Sequence, residues 1–148
     1  RSQIVQPVFV AEADPVHKEL IKIQREIFNT VIAELKPGVT VRELSELTER
    51  AGKKSIPKSG PAAGAIGNLT MHGRGAGDDG PIVTNHSRNA RDLEAQLKEN
   101  MVFILKPSAE VGQGAGKYIC TWGDTVVVTA SGGKRFGTFP HDLAVSAG

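Results

Sequence analysis

The chain is poor in several things at once. It has one cysteine, Cys120, in 148 residues. That excludes an internal disulfide and a cysteine-rich zinc site, and it fits a reducing cytoplasm. Lys and Arg total 18 against 16 Asp and Glu, a net charge of +2. The basic residues are scattered, so no strong field draws the protein to nucleic acid or to a membrane surface. Aromatic residues make up 5%, too few to suggest a stacking platform for single-stranded nucleic acid. No apolar run approaches the ~20 residues of a membrane span, and no signal-peptide pattern opens the chain. The expectation is a cytoplasmic protein with no nucleic-acid and no membrane partner. The triplets Asn68-Leu-Thr70 and Asn85-His-Ser87 are then chance matches to the glycosylation pattern.

What is present suits one domain with one core, with 39% hydrophobic and 23% charged residues. Residues 4–11, IVQPVFVA, read as a strand with Pro7 suiting an edge. Asp14-Pro15 is an N-cap followed by proline at the first helical position. Leu20, Ile23, Ile27, Val31 and Leu35 then mark the buried stripe of a long helix, stopped by Lys36-Pro37-Gly38. Thr40 and Glu43 form a capping box for a second helix with its stripe at Val41, Leu44, Leu47 and Ala51, ended by Gly52. Residues 53–90 are rich in Gly, Pro, Ser and Asn and read as a long loop. Residues 92–99 are a short surface element. MVFIL (101–105), KYICT (117–121) and TVVVT (125–129) are strands, the last two parted by a Trp-Gly-Asp turn, and Ser131-Gly-Gly133 makes another turn. Helices first and strands later predict an α+β fold, with two helices on one face of a mainly antiparallel sheet.

The loop carries the most chemical stretch, MHGRGAGDDGP (71–81). Its glycines lack the spacing of a dinucleotide fingerprint, and no Lys-Ser/Thr follows to make a P-loop. His72 brings an imidazole, a group that suits proton transfer without a metal, or a substrate contact; a relict histidine bonded within the loop is the other reading. Arg74 suits bidentate binding of a carboxylate or phosphate, or faces solvent. Asp78 and Asp79 are better read as turn chemistry than as cation ligands. Lys106 ends an apolar strand, so its stem is half buried; a functional ammonium and a snorkelling surface lysine both remain open. His17, His86 and His141 read as surface residues, Cys120 as a small core residue, and Trp122 as a hydrophobic anchor.

Three pieces in order carry a resemblance: Leu35-Lys-Pro-Gly-Val-Thr40; His72-Gly-Arg-Gly75 with Pro81 close behind; and Asn100-Met-Val-Phe-Ile-Leu-Lys-Pro107 followed by Gly123-Asp-Thr-Val-Val-Val-Thr129 and Phe136-Gly-Thr-Phe-Pro140. Together they resemble the C-terminal half of the pita-bread family, which includes Xaa-Pro dipeptidases and aminopeptidases, methionine aminopeptidases and creatinase. Bacterial Xaa-Pro peptidase-like proteins are the nearest in pattern. The resemblance implies that residues 1–148 are the C-terminal part of a pita-bread domain, a curved antiparallel sheet with helices on one face. It also implies association with the missing N-terminal half or with a second copy in a dimer.

The family holds two divalent metal ions with two aspartates, a histidine and two glutamates. His72 falls at the histidine, and both aspartates would lie upstream of Arg1. The two glutamate positions carry Lys106 and Gly123, and a second, substrate-contacting histidine falls near Asp79. An ammonium repels a cation and glycine offers no ligand. The resemblance with these departures leads to an expectation of no metal and no other cofactor. The site implied has His72 as catalytic proton carrier, with Arg74, Asp79 and Lys106 binding substrate. Function is then that of an Xaa-Pro peptidase-like hydrolase acting without metal on a small or peptide-like substrate. The alternative is an inactive pseudo-peptidase that binds a peptide or protein.

Overall fold

The structure is a computed structural model describing residues 3–74, 78–84 and 89–147; of Arg74, Asp78 and Asp79 it describes the backbone alone. Both long helices start where local chemistry places them. Helix α1 spans Pro15–Ala33, and the Asp14 carboxylate accepts the His17 backbone N–H at 2.9 Å. Helix α2 spans Val41–Ser55, with the Thr40–Glu43 capping box closed in both directions, at 2.7 and 3.2 Å. These bonds satisfy donors that a helix N-terminus leaves orphaned.

The end of α2 differs from expectation. Gly52 does not stop the helix, which runs three residues further. A Cβ at Gly52 would stand 3.2 Å from the Gly67 backbone N. The glycine serves a close helix–strand approach instead of a cap.

The stretch expected to be a loop holds three strands: β2 (Ile66–Asn68), β3 (Met71–Arg74) and β4 (Asp78–Val83), followed by the short helix α3 (Ala90–Leu93). Next come β5 (Val102–Leu105), β6 (Ser108–Val111), β7 (Tyr118–Thr121), β8 (Asp124–Thr129), β9 (Gly132–Arg135) and β10 (Ala144–Ser146). Asp78-Asp79 therefore begins a strand, with a bulge between His72 and Gly73 where β4 pairs β3. The N-terminal strand shrinks to β1 (Val8–Val10), which pairs β10 in parallel.

One sheet has the order β4-β3-β5-β8-β9 and another the order β2-β6-β7. Their pairings share an unbroken register. Asn68 opposes Ser108 and Met71 opposes Leu105, and the Lys106 N–H bonded to Thr70 O at 2.9 Å fills the step between them. Ser108 opposes Thr121 and Leu105 opposes Asp124 in the same way. Three long antiparallel strands thus run through both sheets and bend together near residues 70, 106 and 123. The expected Trp-Gly-Asp turn is this bend: β7 and β8 are successive parts of one path, and both pair with the 102–111 strand.

The bend is held from below. Gln24 of α1 is fully buried; its Nε2 donates to Pro107 O at 2.9 Å and to Trp122 O at 2.7 Å. These carbonyls lie where the ladder breaks, and buried carbonyls need donors. His141 bonds Gln24 Oε1 through Nε2, stacks on Trp122 at 3.9 Å and meets Phe28 edge-on at 5.0 Å. It is a half-buried clasp between the C-terminal segment and α1, not a surface residue. Burial is the main cause that lowers its pKa to about 4. Leu20, Ile27, Phe28, Val31, Met71, Phe103, Leu105 and Trp122 fill the core between the helices and one sheet face. Cys120 lies there too, and burial pushes its thiol up to about 12. No helix among the described residues is long and apolar enough to cross a membrane.

Candidate active-site face

Side chains alternate across a strand. The unbroken register therefore puts Thr70, His72, Ile104, Lys106, Gly123 and Thr125 on the sheet face turned away from the helices. Gly67, Met71, Leu105 and Trp122 take the helix side.

His72 sits on β3 between Ile82 and Ile104 and is 8% exposed. Its Nδ1 donates to the Gly73 carbonyl at 3.1 Å. A carbonyl only accepts, so Nδ1 carries a proton; in the neutral form of the ring the lone pair is then on Nε2. A neutral imidazole of this tautomer is suited to take up a proton or to bind a metal.

Lys106 follows the last residue of β5 and is half buried. Its ammonium makes no ion pair or hydrogen bond among the described residues. Beside it, Gly123 is required to be bare. A Cβ there would stand 2.4 Å from Lys106 Cβ, 2.9 Å from Lys106 Cα and 2.8 Å from Leu105 O. Lys106 and Gly123 are thus in van der Waals contact across the bend, and a longer side chain at 123 has no room as the strands stand. The N-terminal segment closes this edge: Val5 and Gly123 exchange backbone bonds of 3.0 and 2.9 Å, and the Gln3 N–H donates to the Thr125 hydroxyl at 2.8 Å.

Asp79 stands opposite Gly73, and Arg74 opposite Asp78, in the β3–β4 pairing. Their backbones are therefore next to His72, while their side chains lie outside the described residues. His86 also lies outside them. Asp124 points the other way. It is 1% exposed and bonded by Arg135 Nε at 2.9 Å, and the Arg135 guanidinium lies 4.7 Å over the Trp122 ring. That pair is structural, at the back of the bend. Sequence reasoning missed Gln24, because its place depends on strands that composition concealed.

A divalent pair needs bridging carboxylates. Among the described residues no group of three or more His, Cys, Asp or Glu could hold an ion. At 106 and 123 an ammonium and a bare Cα coordinate nothing. The described residues supply His72 alone, and any further donor stands outside them.

The profile of Metallopeptidase family M24 matches residues 2–130. The chain is 28% identical over 141 residues to methionine aminopeptidase 1A of Arabidopsis thaliana, covering 93% of this chain and 32% of the relative. It is 26% identical over 142 residues to the Xaa-Pro dipeptidase of Pyrococcus furiosus, covering 96% and 37%. It therefore spans about a third of the length of these relatives. The solved structure of the X-Pro aminopeptidase from Thermotoga maritima superposes with a TM-score of 0.74 at 22% identity, covering 97% of this chain and 37% of that one. The α+β pita-bread architecture expected from the sequence is the architecture found.

The expectation of no metal cofactor is overturned. The matched family is one of metallopeptidases, whose members use divalent metals, and "none" conflicts with that. Two substituted positions were too narrow a basis for a statement about a centre whose other ligands the chain does not display. On the profile match, the relatives and the shared fold, the chain belongs to metallopeptidase family M24.

Proposed function

We propose that residues 1–148 are the C-terminal part of a pita-bread domain in an Xaa-Pro peptidase-like hydrolase, acting on a small or peptide-like substrate laid on the His72 face. The single observation that carries this reading is the Nδ1 to Gly73 O bond. It fixes the ring and directs basicity to Nε2, which is what a proton carrier requires. Lys106 anchors an anionic group of the substrate, and Arg74 and Asp79 act from the β3–β4 pair beside it. The relatives named as an Xaa-Pro dipeptidase and a methionine aminopeptidase support a peptide substrate class. The face is completed by the missing N-terminal half or by a second copy.

The test is hydrolysis of Xaa-Pro dipeptides by the longest native form of the protein, with and without His72→Ala. Loss of a general acid or base removes roughly 10²–10⁴ of rate; unchanged turnover rejects the assignment. A second reading is favoured by one observation, the Lys106–Gly123 contact. It is that the protein binds a peptide or protein without cleaving it. Equilibrium binding of a proline peptide with no turnover supports this reading, and turnover removes it.

A further inference from the structure

In the register that runs from Leu105–Asp124 to Ser108–Thr121, Pro107 falls opposite Trp122. Proline has no backbone N–H, so it brings no donor to this rung of the ladder. The helix layer supplies the donors instead. A primary amide carries two N–H groups, and Gln24 Nε2 uses both, on Pro107 O at 2.9 Å and on Trp122 O at 2.7 Å. Carbonyls only accept, so the amide nitrogen must face them and Oε1 must face away. There Oε1 accepts from His141 Nε2, whose ring is held by its stack on Trp122. Gln24 is fully buried. Its amide can neither flip nor withdraw without leaving buried groups unpaired.

Both carbonyls adjoin residues of the opposite face. Pro107 follows Lys106, and the Trp122 carbonyl shares a peptide plane with the Gly123 N–H. That N–H bonds Val5 O at 2.9 Å, and the Lys106 N–H bonds Thr70 O, also at 2.9 Å, on the segment that leads into His72. A Cβ at Gly123 would stand 2.4 Å from Lys106 Cβ. The two strands are thus closed on one another where the amide bridges their carbonyls.

We propose that Gln24 is a positioning residue for the His72 face. From the helix side of the sheet it acts through the Pro107 and Trp122 carbonyls, which set where Lys106 and Gly123 stand in the row beside His72. His141 locks the amide that does so. The effect on turnover rests on the reading that this is the substrate face and that Lys106 anchors the substrate; the positioning itself does not.

The experiment uses the longest native form of the protein and compares Gln24→Met with Val31→Ala. The first keeps the length of the side chain and removes the amide. The second opens a cavity at a fully buried position about 10 Å further along α1, and so loses stability without touching the bend. The backbone amide resonances of Lys106, Ser108 and Gly123 are expected to move in Gln24→Met and to stay in place in Val31→Ala. For Xaa-Pro dipeptides, KM is expected to rise at least fivefold in Gln24→Met with kcat within twofold, the pattern of a lost binding contact. Val31→Ala should leave both within twofold. His141→Phe keeps a ring on Trp122 and removes the donor to Oε1; it should shift the same three resonances, and it decides if Gln24→Met fails to fold. Resonances that move no more than in Val31→Ala overturn the proposal. Moved resonances with KM unchanged make Gln24 a structural residue only and overturn it as well. A native protein that cleaves no Xaa-Pro dipeptide rejects the hydrolase reading, and the resonances alone then decide the positioning.

Discussion

Gln24 is a fully buried polar side chain that supplies the donors for two carbonyls at the bend. Gln24→Leu keeps the bulk of the side chain and removes all three of its hydrogen bonds, to Pro107 O, Trp122 O and His141. The first two leave carbonyls buried at the bend. Each unsatisfied buried group costs about 1–3 kcal/mol. The His141 ring is half buried, so water recovers part of the third bond. Leucine offsets roughly 1 kcal/mol through its own apolar burial. The net loss is then about 2–4 kcal/mol, a large part of the ~5–15 kcal/mol by which domains are stable. Urea unfolding followed by tryptophan fluorescence reads this directly, because Trp122 lies on the same cluster; the midpoint is expected to fall by about 1–2 M. Adding His141→Leu to Gln24→Leu is expected to cost little more, since the two side chains share one bond. A loss below about 0.5 kcal/mol would mean that the bend carbonyls find other donors and that Gln24 does not hold the strands.

The remaining predictions concern neighbouring parts of the same frame. His141 has a folded pKa of about 4 against an ordinary 6.5, so between these values the unfolded chain binds more protons. Its contribution is full above pH 6.5 and is lost as pH falls to 4. The unscreened ceiling is about 3 kcal/mol, and partial exposure brings it to roughly 1–2 kcal/mol. His141→Phe should flatten that part of a stability–pH curve, and an unchanged slope would assign it to other groups. Gly123→Ala forces a Cβ against Lys106 and the Leu105 carbonyl. It is expected to cost about 1–3 kcal/mol, read as a drop of several degrees in Tm, and an unchanged Tm would refute the close approach. Cys120, buried with a thiol raised to about 12, should resist iodoacetamide at pH 8 until urea unfolds the protein; fast native labelling contradicts its place in the core.

Much of the helical layer was legible from residues close together in the chain. Asp14-Pro15 and the Thr40–Glu43 box announce helix starts through bonds that span three residues. The stripe at Leu20, Ile23, Ile27 and Val31 announces which side of α1 is buried. The stretch 53–90 was misread because β2 and β3 are short and hold Gly, Asn and His. Such residues become strands only when residues 102–111 pair with them across the sheet. His141 and Gln24 were opaque for a related reason: they meet across 117 positions of sequence, at a bend that exists only once the sheet has formed.

The candidate site divides in the same way. That His72 stands among glycines, and that 106 and 123 carry an ammonium and a bare Cα, are properties of the sequence, as is the order of motifs that places the chain in its family. Which of these groups share a face, and that Gly123 is packed against Lys106, were decided by tertiary structure alone. Strand register is a relation between distant segments. A shift of one residue would turn each of these side chains to the opposite face, and no local pattern in the chain specifies that choice.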